Sequence, residues 1–221
     1  MCGRFTLTND MAELEERFAF EAEDLHYRPR YNVAPGQRVL VVTRDSENRA
    51  GFFHWGLIPP WAKDPAISQR SINARGETVA EKRSFRGAFR RRRCLILADG
   101  FYEWRAEGSG KTPMRIVLKS REPFGFAGVW EEWKSPTGET IPSCAIITTA
   151  ANSLVEPIHD RMPVILRREA EALWLDPEVD DPLLLTQLLV AYPAEDMEAY
   201  PVSPLVNSYR NDTPACIEPL S

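Results

Sequence analysis

Cys94-Leu95-Ile96-Leu97-Ala98-Asp99-Gly100-Phe101-Tyr102-Glu103-Trp104 is the stretch on which the reading of the fold turns. Its first five residues form a short apolar run closed by Asp-Gly, which reads as a strand, and it ends on a glutamate set between aromatic neighbours. Similar strand signals lie on both sides: Val39 to Thr43 and Gly51 to Trp55 before it, Met114 to Leu118, Phe124 to Trp130 and Ser143 to Thr149 after it. Ser135-Pro136-Thr137-Gly138 reads as a turn between two of them, and Gly3 to Leu7 is strand-like. Asn9-Asp10 reads as an N-cap followed by Met11, Leu14 and Phe18 on one helical face. Prolines between Arg28 and Gly36 predict an extended loop whose two arginines can meet phosphates. Further short helices are expected near Glu77 to Arg83, Glu169 to Leu175 and Pro182 to Val190. The expected fold is α+β and mainly antiparallel β, a curved or barrel-like sheet with short flanking helices in one domain over residues 1–221.

The 221 residues, 43% of them hydrophobic, suffice for one domain burying roughly 70% of its unfolded surface. Four cysteines, at 2, 94, 144 and 216, show no C-x-x-C pair and no metal-ligand spacing, so no metal site and no cofactor is expected. Cys94 and Cys144 sit in apolar runs and read as reduced core residues. The chain opens without a basic and then apolar leader pattern, and its longest apolar stretch, Pro182 to Tyr192, is broken by Thr186-Gln187. The expectation is a soluble protein of a reducing compartment. Net charge is −5, yet Leu25 to Arg105 holds 16 Lys+Arg against 7 Asp+Glu, a local +9 that leaves −14 for the remainder. An acidic molecule can thus carry a basic face, or merely a scattered charged surface. The stretch from Glu169 carries eleven acidic residues against Arg210 alone and is expected to lie remote from any nucleic acid. Gly108-Ser109-Gly110-Lys111-Thr112 imitates a phosphate-binding loop, but Arg105 stands where the motif needs its first glycine and Pro113 follows at once. It reads as a plain loop.

Chemistry points to the chain start. Removal of Met1 would leave Cys2 with a free amine, of ordinary pKa roughly 7.7–8.0, beside a thiol of about 8.5. The amine can condense with an aldehyde and the thiol can add to the same carbon, closing a five-membered thiazolidine that an internal cysteine cannot form. Taken alone, Cys2 is equally an ordinary second residue.

After Met1-Cys2-Gly3-Arg4-Phe5 come, in order, Tyr31-Asn32-Val33-Ala34-Pro35, Trp55-Gly56-Leu57-Ile58-Pro59 with Trp61, Asn73-Ala74-Arg75-Gly76-Glu77-Thr78, Gly100-Phe101-Tyr102-Glu103-Trp104 and His159-Asp160-Arg161-Met162-Pro163. Together they resemble the SOS response-associated peptidase family, abasic-site-processing proteins that crosslink themselves to single-stranded DNA. The resemblance runs from Cys2 to about Val206-Asn207. It implies a catalytic set of Cys2, Asn73, Glu103 and His159, and DNA contacts from Arg4, Arg75, Arg161 and Trp61. Glu103, if partly buried, suits the proton transfers of sugar opening, and His159 suits proton delivery. Asn73 offers an uncharged donor and acceptor, and the arginines offer phosphate forks. Trp61, beyond two prolines, is a better candidate for stacking on a base than Trp55, which reads equally as core. Read without the resemblance, Glu103 and His159 are as compatible with structural roles. Arg90 to Arg93 alternates into the strand at Cys94 and reads as a solvated flank.

The implied partner is single-stranded DNA containing abasic sites, met by a cytoplasmic monomer that joins the nucleoid when bound, with no membrane and no metal. Crosslinking, with autocatalytic loss of Met1, would make the protein an enzyme. Two other readings stay open: an N-terminal-nucleophile amidohydrolase or thiol peptidase, and a passive single-strand binding module.

Overall fold

The computed structural model describes residues 2–22 and 25–220. Met1, whose removal the expected thiazolidine chemistry needs, lies outside them. Along the chain run β1 (Phe5–Leu7), α1 (Met11–Phe18), β2 (Arg30–Val33), β3 (Arg38–Arg44), β4 (Asn48–Trp55), β5 (Asn73–Arg75), α2 (Arg86–Arg91), β6 (Arg93–Ala98) and β7 (Gly100–Glu107). Then follow β8 (Gly110–Leu118), β9 (Phe124–Lys134), β10 (Thr140–Ala150), β11 (Arg161–Pro163), α3 (Arg168–Leu175), α4 (Pro182–Gln187) and β12 (Met197–Pro201). This is the expected mainly antiparallel α+β fold.

Five strands close on themselves in the order β10-β4-β3-β6-β9, with β9 pairing back to β10. The closure is made by a short parallel contact of Ser143 with His54 and Cys144 with Trp55. The runs read in β3, β6, β9 and β10 are largely apolar because both faces of these strands are covered, whereas β4 fully buries only Trp55. Leu40, Val42, Leu95, Leu97, Ala145 and Ile147 join a cluster with α1 and α3 residues, while their neighbours Val39, Val41, Cys94, Ile96, Cys144 and Ile146 join another with Phe5, Phe101 and Ile116.

The second sheet, ordered β12-β8-β7-β1-β2, lies against that second cluster. The chain crosses between sheets at Asp99-Gly100. A Cβ on Gly100 would sit 2.9 Å from Val117 Cγ1 and 3.0 Å from Arg115 Nε and Thr6 Oγ1, so only glycine passes there. Asp99 is tied down by the Thr8 amide at 2.7 Å and by Arg115 at 3.2 Å. The stretch that decides the fold is therefore two strands, and Gly100–Glu107 is a strand of its own rather than the end of the preceding one.

Asp10 caps α1 with its side chain accepting from the Glu13 amide, and Leu14 and Phe18 are buried as the periodicity requires. Ser135 to Gly138 turns as expected, closed by a 2.9 Å bond from Gly138 N to Ser135 O. Arg105 to Thr112 is a β7–β8 hairpin, so the imitation phosphate loop is indeed a loop. No helix spans Glu77 to Arg83. Separate turns stand there, Thr78 N bonding Arg75 O at 3.1 Å and Lys82 N bonding Thr78 O at 3.0 Å, with the segment anchored at its start to β10 by the Gly76 amide on Thr148 O at 2.8 Å. A helix forms just beyond, at Arg86–Arg91. The loop expected from Arg28 to Gly36 includes the short strand β2.

The four-arginine run divides. Arg93 is buried and caps two helices, its Nη1 donating to Phe89 O of α2 at 3.0 Å and its Nε to Trp174 O of α3 at 2.6 Å, with Val179 O at 2.8 Å and Arg90 O and Asp176 O as further acceptors. Arg92 pairs with Glu131, and Arg90 and Arg91 stand exposed. A solvated flank describes only part of the run. All four cysteines are buried and free. Among the described residues no helix is long and apolar enough to cross a membrane, and none of the side chains group as metal ligands.

Candidate functional site

β1 delivers the chain start to the site. Its pairing with β7, Phe5 opposite Phe101, continues through a 2.9 Å bond from Tyr102 N to Arg4 O, which fixes Cys2 within the field of Glu103. Cys2 is fully buried, and that burial, with the Glu103 charge second, pushes its thiol well above the ordinary range. Asn73, the first residue of β5, donates from Nδ2 to Cys2 O at 2.8 Å. Its Oδ1 is buried with no hydrogen-bond partner among the described residues. The amide thus grips the backbone at Cys2 and keeps an acceptor in reserve.

Glu103 is 4% exposed. Burial pushes its carboxyl up to about 7, with the Asp160 charge raising it further and Lys111 lowering it. Such a group gives and takes protons at neutral pH. His159 responds to the same two charges: burial first holds it below its ordinary value, Asp160 raises it and Lys111 lowers it. The shared neighbours bring the Glu103 strand and the His159 loop into one electrostatic environment. The Arg161 amide donates to His159 Nδ1 at 3.0 Å, and the same nitrogen lies 3.2 Å from Arg161 O, so these contacts are compatible with either neutral tautomer. A protonated ring would face Asp160 Oδ1, 3.0 Å from Nδ1.

Strand β10 organises the rest. At its C-terminal end β5 pairs parallel to it, Arg75 opposite Thr148, and β11 pairs antiparallel to it, Arg161 opposite Ala150. Asn73, Arg75, His159 and Arg161, distant in sequence, converge there through register alone. Arg75 is exposed. Arg161 is held: its two terminal nitrogens grip both oxygens of Glu77, one at 2.9 Å, and Nη2 also donates to Thr148 O at 2.7 Å. The same pair draws the Glu77 carboxyl below its usual range.

Arg4 is likewise engaged, donating to Asn32 Oδ1 at 2.8 Å and Val206 O at 2.7 Å beneath the Trp104 ring. Trp61 is 45% exposed with the Arg83 guanidinium 4.6 Å from its ring centre, whereas Trp55 is wholly buried and bonds Ile72 O.

Several residues that matter here were not singled out by the sequence. Asn32, fully buried, accepts from Arg4 and donates to Ser208 O at 3.0 Å and Asn211 O at 2.7 Å. Asp212 accepts from the Tyr31 amide at 2.6 Å and pairs with Arg30, and Asn207 accepts from Trp104 Nε1 at 2.7 Å. Part of the acidic C-terminal stretch, expected as a solvated face remote from any nucleic acid, is thus bonded as a strap from Val206 to Asp212 to Arg4 and β2. A polar Asn between Tyr31 and Val33 in a strand was the one sequence signal of this strap.

A buried thiol, a carboxyl pushed up to about 7 and a histidine sharing its electrostatics thus stand together beside the start of β1. The chain belongs to the SOS response associated peptidase (SRAP) family, whose sequence profile matches residues 1–209. It is 52% identical over 222 residues to the abasic site processing protein YoqW of Bacillus subtilis (strain 168), covering 99% of each chain. It is 33% identical over 264 residues to the abasic site processing protein HMCES of Gallus gallus, spanning 100% of this chain and 78% of that protein. Among solved structures, a Bacteroides thetaiotaomicron protein matches all of both chains with a TM-score of 0.88 at 28% identity. A Bordetella bronchiseptica protein matches 91% of this chain and 100% of its own with 0.78 at 27%.

Proposed function

We propose that this protein senses and shields abasic sites in single-stranded DNA by forming a covalent thiazolidine through the amine and thiol of Cys2 once Met1 is removed. The reading is supported by relatives named as abasic site processing proteins along the full length of the chain. The observation that carries the mechanism is the buried, protonated Cys2 thiol in the field of a buried Glu103 whose carboxyl is pushed up to about 7.

That pairing orders the steps. The thiol holds its proton, so the α-amine attacks the C1′ aldehyde first and water leaves as the Schiff base forms. The thiol then adds to the same carbon, forming the S–C1′ bond while its proton passes to the former imine nitrogen. Glu103 is the group that carries protons, first in opening the sugar and then between sulfur and nitrogen. Asn73 holds the Cys2 backbone, and His159, held below its ordinary value by burial, serves as proton donor to the sugar oxygen and in reversal. Arg75 contacts phosphate and Trp61 stacks on a base, while Arg4 and Arg161 shape the groove from fixed positions. The protein acts as a monomer on DNA of any sequence, the aldehyde supplying selectivity.

Denaturing electrophoresis with uracil-containing single-stranded DNA tests the reading. A retarded band that appears only after glycosylase treatment, with the intact mass of protein plus DNA less one water, is the expected result. A band without glycosylase, or none with it, rejects the proposal.

A further inference from the structure

A cavity of about 480 Å³ opens between the β1–β2 pair and the β3–β4 pair. Its floor is apolar and buried, made by Phe5, Leu7, Val33, Val39 and Leu40, with the half-buried ring of Phe52 beside it. Its mouth is cationic. Arg28, Arg30, Arg38 and His26 line it, and among the described residues no carboxylate does. Arg30 is neutralised by Asp212, but Arg28 and Arg38 have no acidic partner among the described residues, and Arg38 donates to Phe52 O at 3.2 Å. Tyr27 is fixed in the wall, its hydroxyl donating to Leu7 O at 2.8 Å with Asn9 O, 2.9 Å away, as an alternative acceptor.

We infer that this cavity binds a deoxynucleoside phosphate, base inward against the aromatic and aliphatic floor and phosphate outward between Arg28 and Arg38. Size, apolar lining and a few convergent charged groups are the ordinary properties of a small-molecule site. Guanidinium forks favour the multiply charged oxygens of phosphate, and the rings of Phe52 and Tyr27 suit the face of a base. A fatty acid would satisfy the floor but leave the second guanidinium unmatched. The nucleotide has two sources, free in solution or part of the DNA strand. Its wall includes Phe5 and Leu7 of β1, the strand that follows Cys2 and Arg4, and Val33, next to Asn32, which accepts from Arg4.

The test uses isothermal titration of the full-length Cys2→Ala protein, which separates it from crosslinking, with deoxyadenosine monophosphate, deoxyadenosine, inorganic phosphate and octanoate. The nucleotide is expected to bind about tenfold or more tightly than any of the other three, and Arg28→Ala/Arg38→Ala is expected to weaken it about tenfold with an unchanged melting temperature. Titration repeated with saturating single-stranded DNA identifies the source: undiminished binding means a free nucleotide, mutual exclusion means a nucleotide of the strand, and either supports the site. Equal affinity for nucleotide and inorganic phosphate, preference for octanoate, or unchanged nucleotide binding by the double variant overturns it.

Discussion

Cys2 and Glu103 lie buried where β1 meets β7, whereas Arg75, Trp61 and Arg83 stand exposed at a strand end and on loops beside the barrel. The buried region gains its chemistry from desolvation, which keeps a thiol protonated and lifts a carboxyl to about 7. The exposed region gains nothing from burial and offers only charge and an aromatic face. Reactive groups are therefore fixed by strand register and destabilising to keep, while contact groups are nearly neutral to stability and adjustable. Each region should fail differently when altered.

The largest effect is expected at Cys2 itself. With Met1 removed, Cys2→Ala should give only a labile adduct, trapped by borohydride, because amine condensation survives and ring closure does not. A form that retains Met1 should give no heat-stable adduct. A heat-stable adduct from that form, read by intact mass, would break the thiazolidine mechanism.

Next comes Glu103→Gln, which should slow crosslinking about 10²-fold or more while leaving affinity for single-stranded DNA within about twofold. The same variant should be more stable than the parent, and the sign follows from proton linkage. The folded carboxyl titrates near 7 and the unfolded one near 4.5, so between these values the unfolded chain loses the proton first. Stability contributed by this group thus falls as pH rises from 4.5 to 7 and stays lost above it. On that basis the Glu103→Gln substitution should add ~3 kcal/mol at pH 8 and little near pH 4.5. A melting curve in which the two proteins differ equally at both pH values would show that Glu103 is not strained by burial.

Legibility in the sequence follows the same division. Most barrel strands were readable because both their faces are buried and their runs are largely apolar, and α1 because capping box and periodicity agree. Short β5, β11 and β12 carry almost no pattern of their own and exist through pairing with longer partners. Glu103 and Asn73 were legible as residue types in motifs, and their convergence was not, since β5 and β11 are placed by β10. The strap through Asn32 and Asp212 escaped notice because an acidic, turn-rich tail reads as solvated surface unless its backbone partners are known. Glu77 reads as an ordinary surface acid until Arg161 is seen in its grip.

That grip gives the smallest expected effect and the finest test of the comparison. Arg75 and Arg161 flank the same strand end, yet Arg75 is exposed and Arg161 is held by Glu77 and Thr148 O. If exposure decides who meets phosphate, Arg75→Ala should weaken binding of any single-stranded sequence about three- to tenfold and flatten the logarithmic salt dependence by ~0.7, the value for one lost phosphate contact, with no change in melting temperature. Arg161→Ala should instead lower the melting temperature, because the Thr148 carbonyl loses a donor and Glu77 its partner, with a smaller change in salt slope. Glu77→Gln separates the two ideas further. Should Glu77 merely occupy Arg161 until DNA arrives, releasing the guanidinium would tighten binding and steepen the salt slope. Should the pair be a fixed wall of the groove, as the two-pronged grip on Glu77 and the further bond to Thr148 argue, binding would weaken slightly and the slope would stay put. Identical salt slopes for the parent and Arg75→Ala would remove the exposed residue from the groove and overturn the division between buried chemistry and exposed contact.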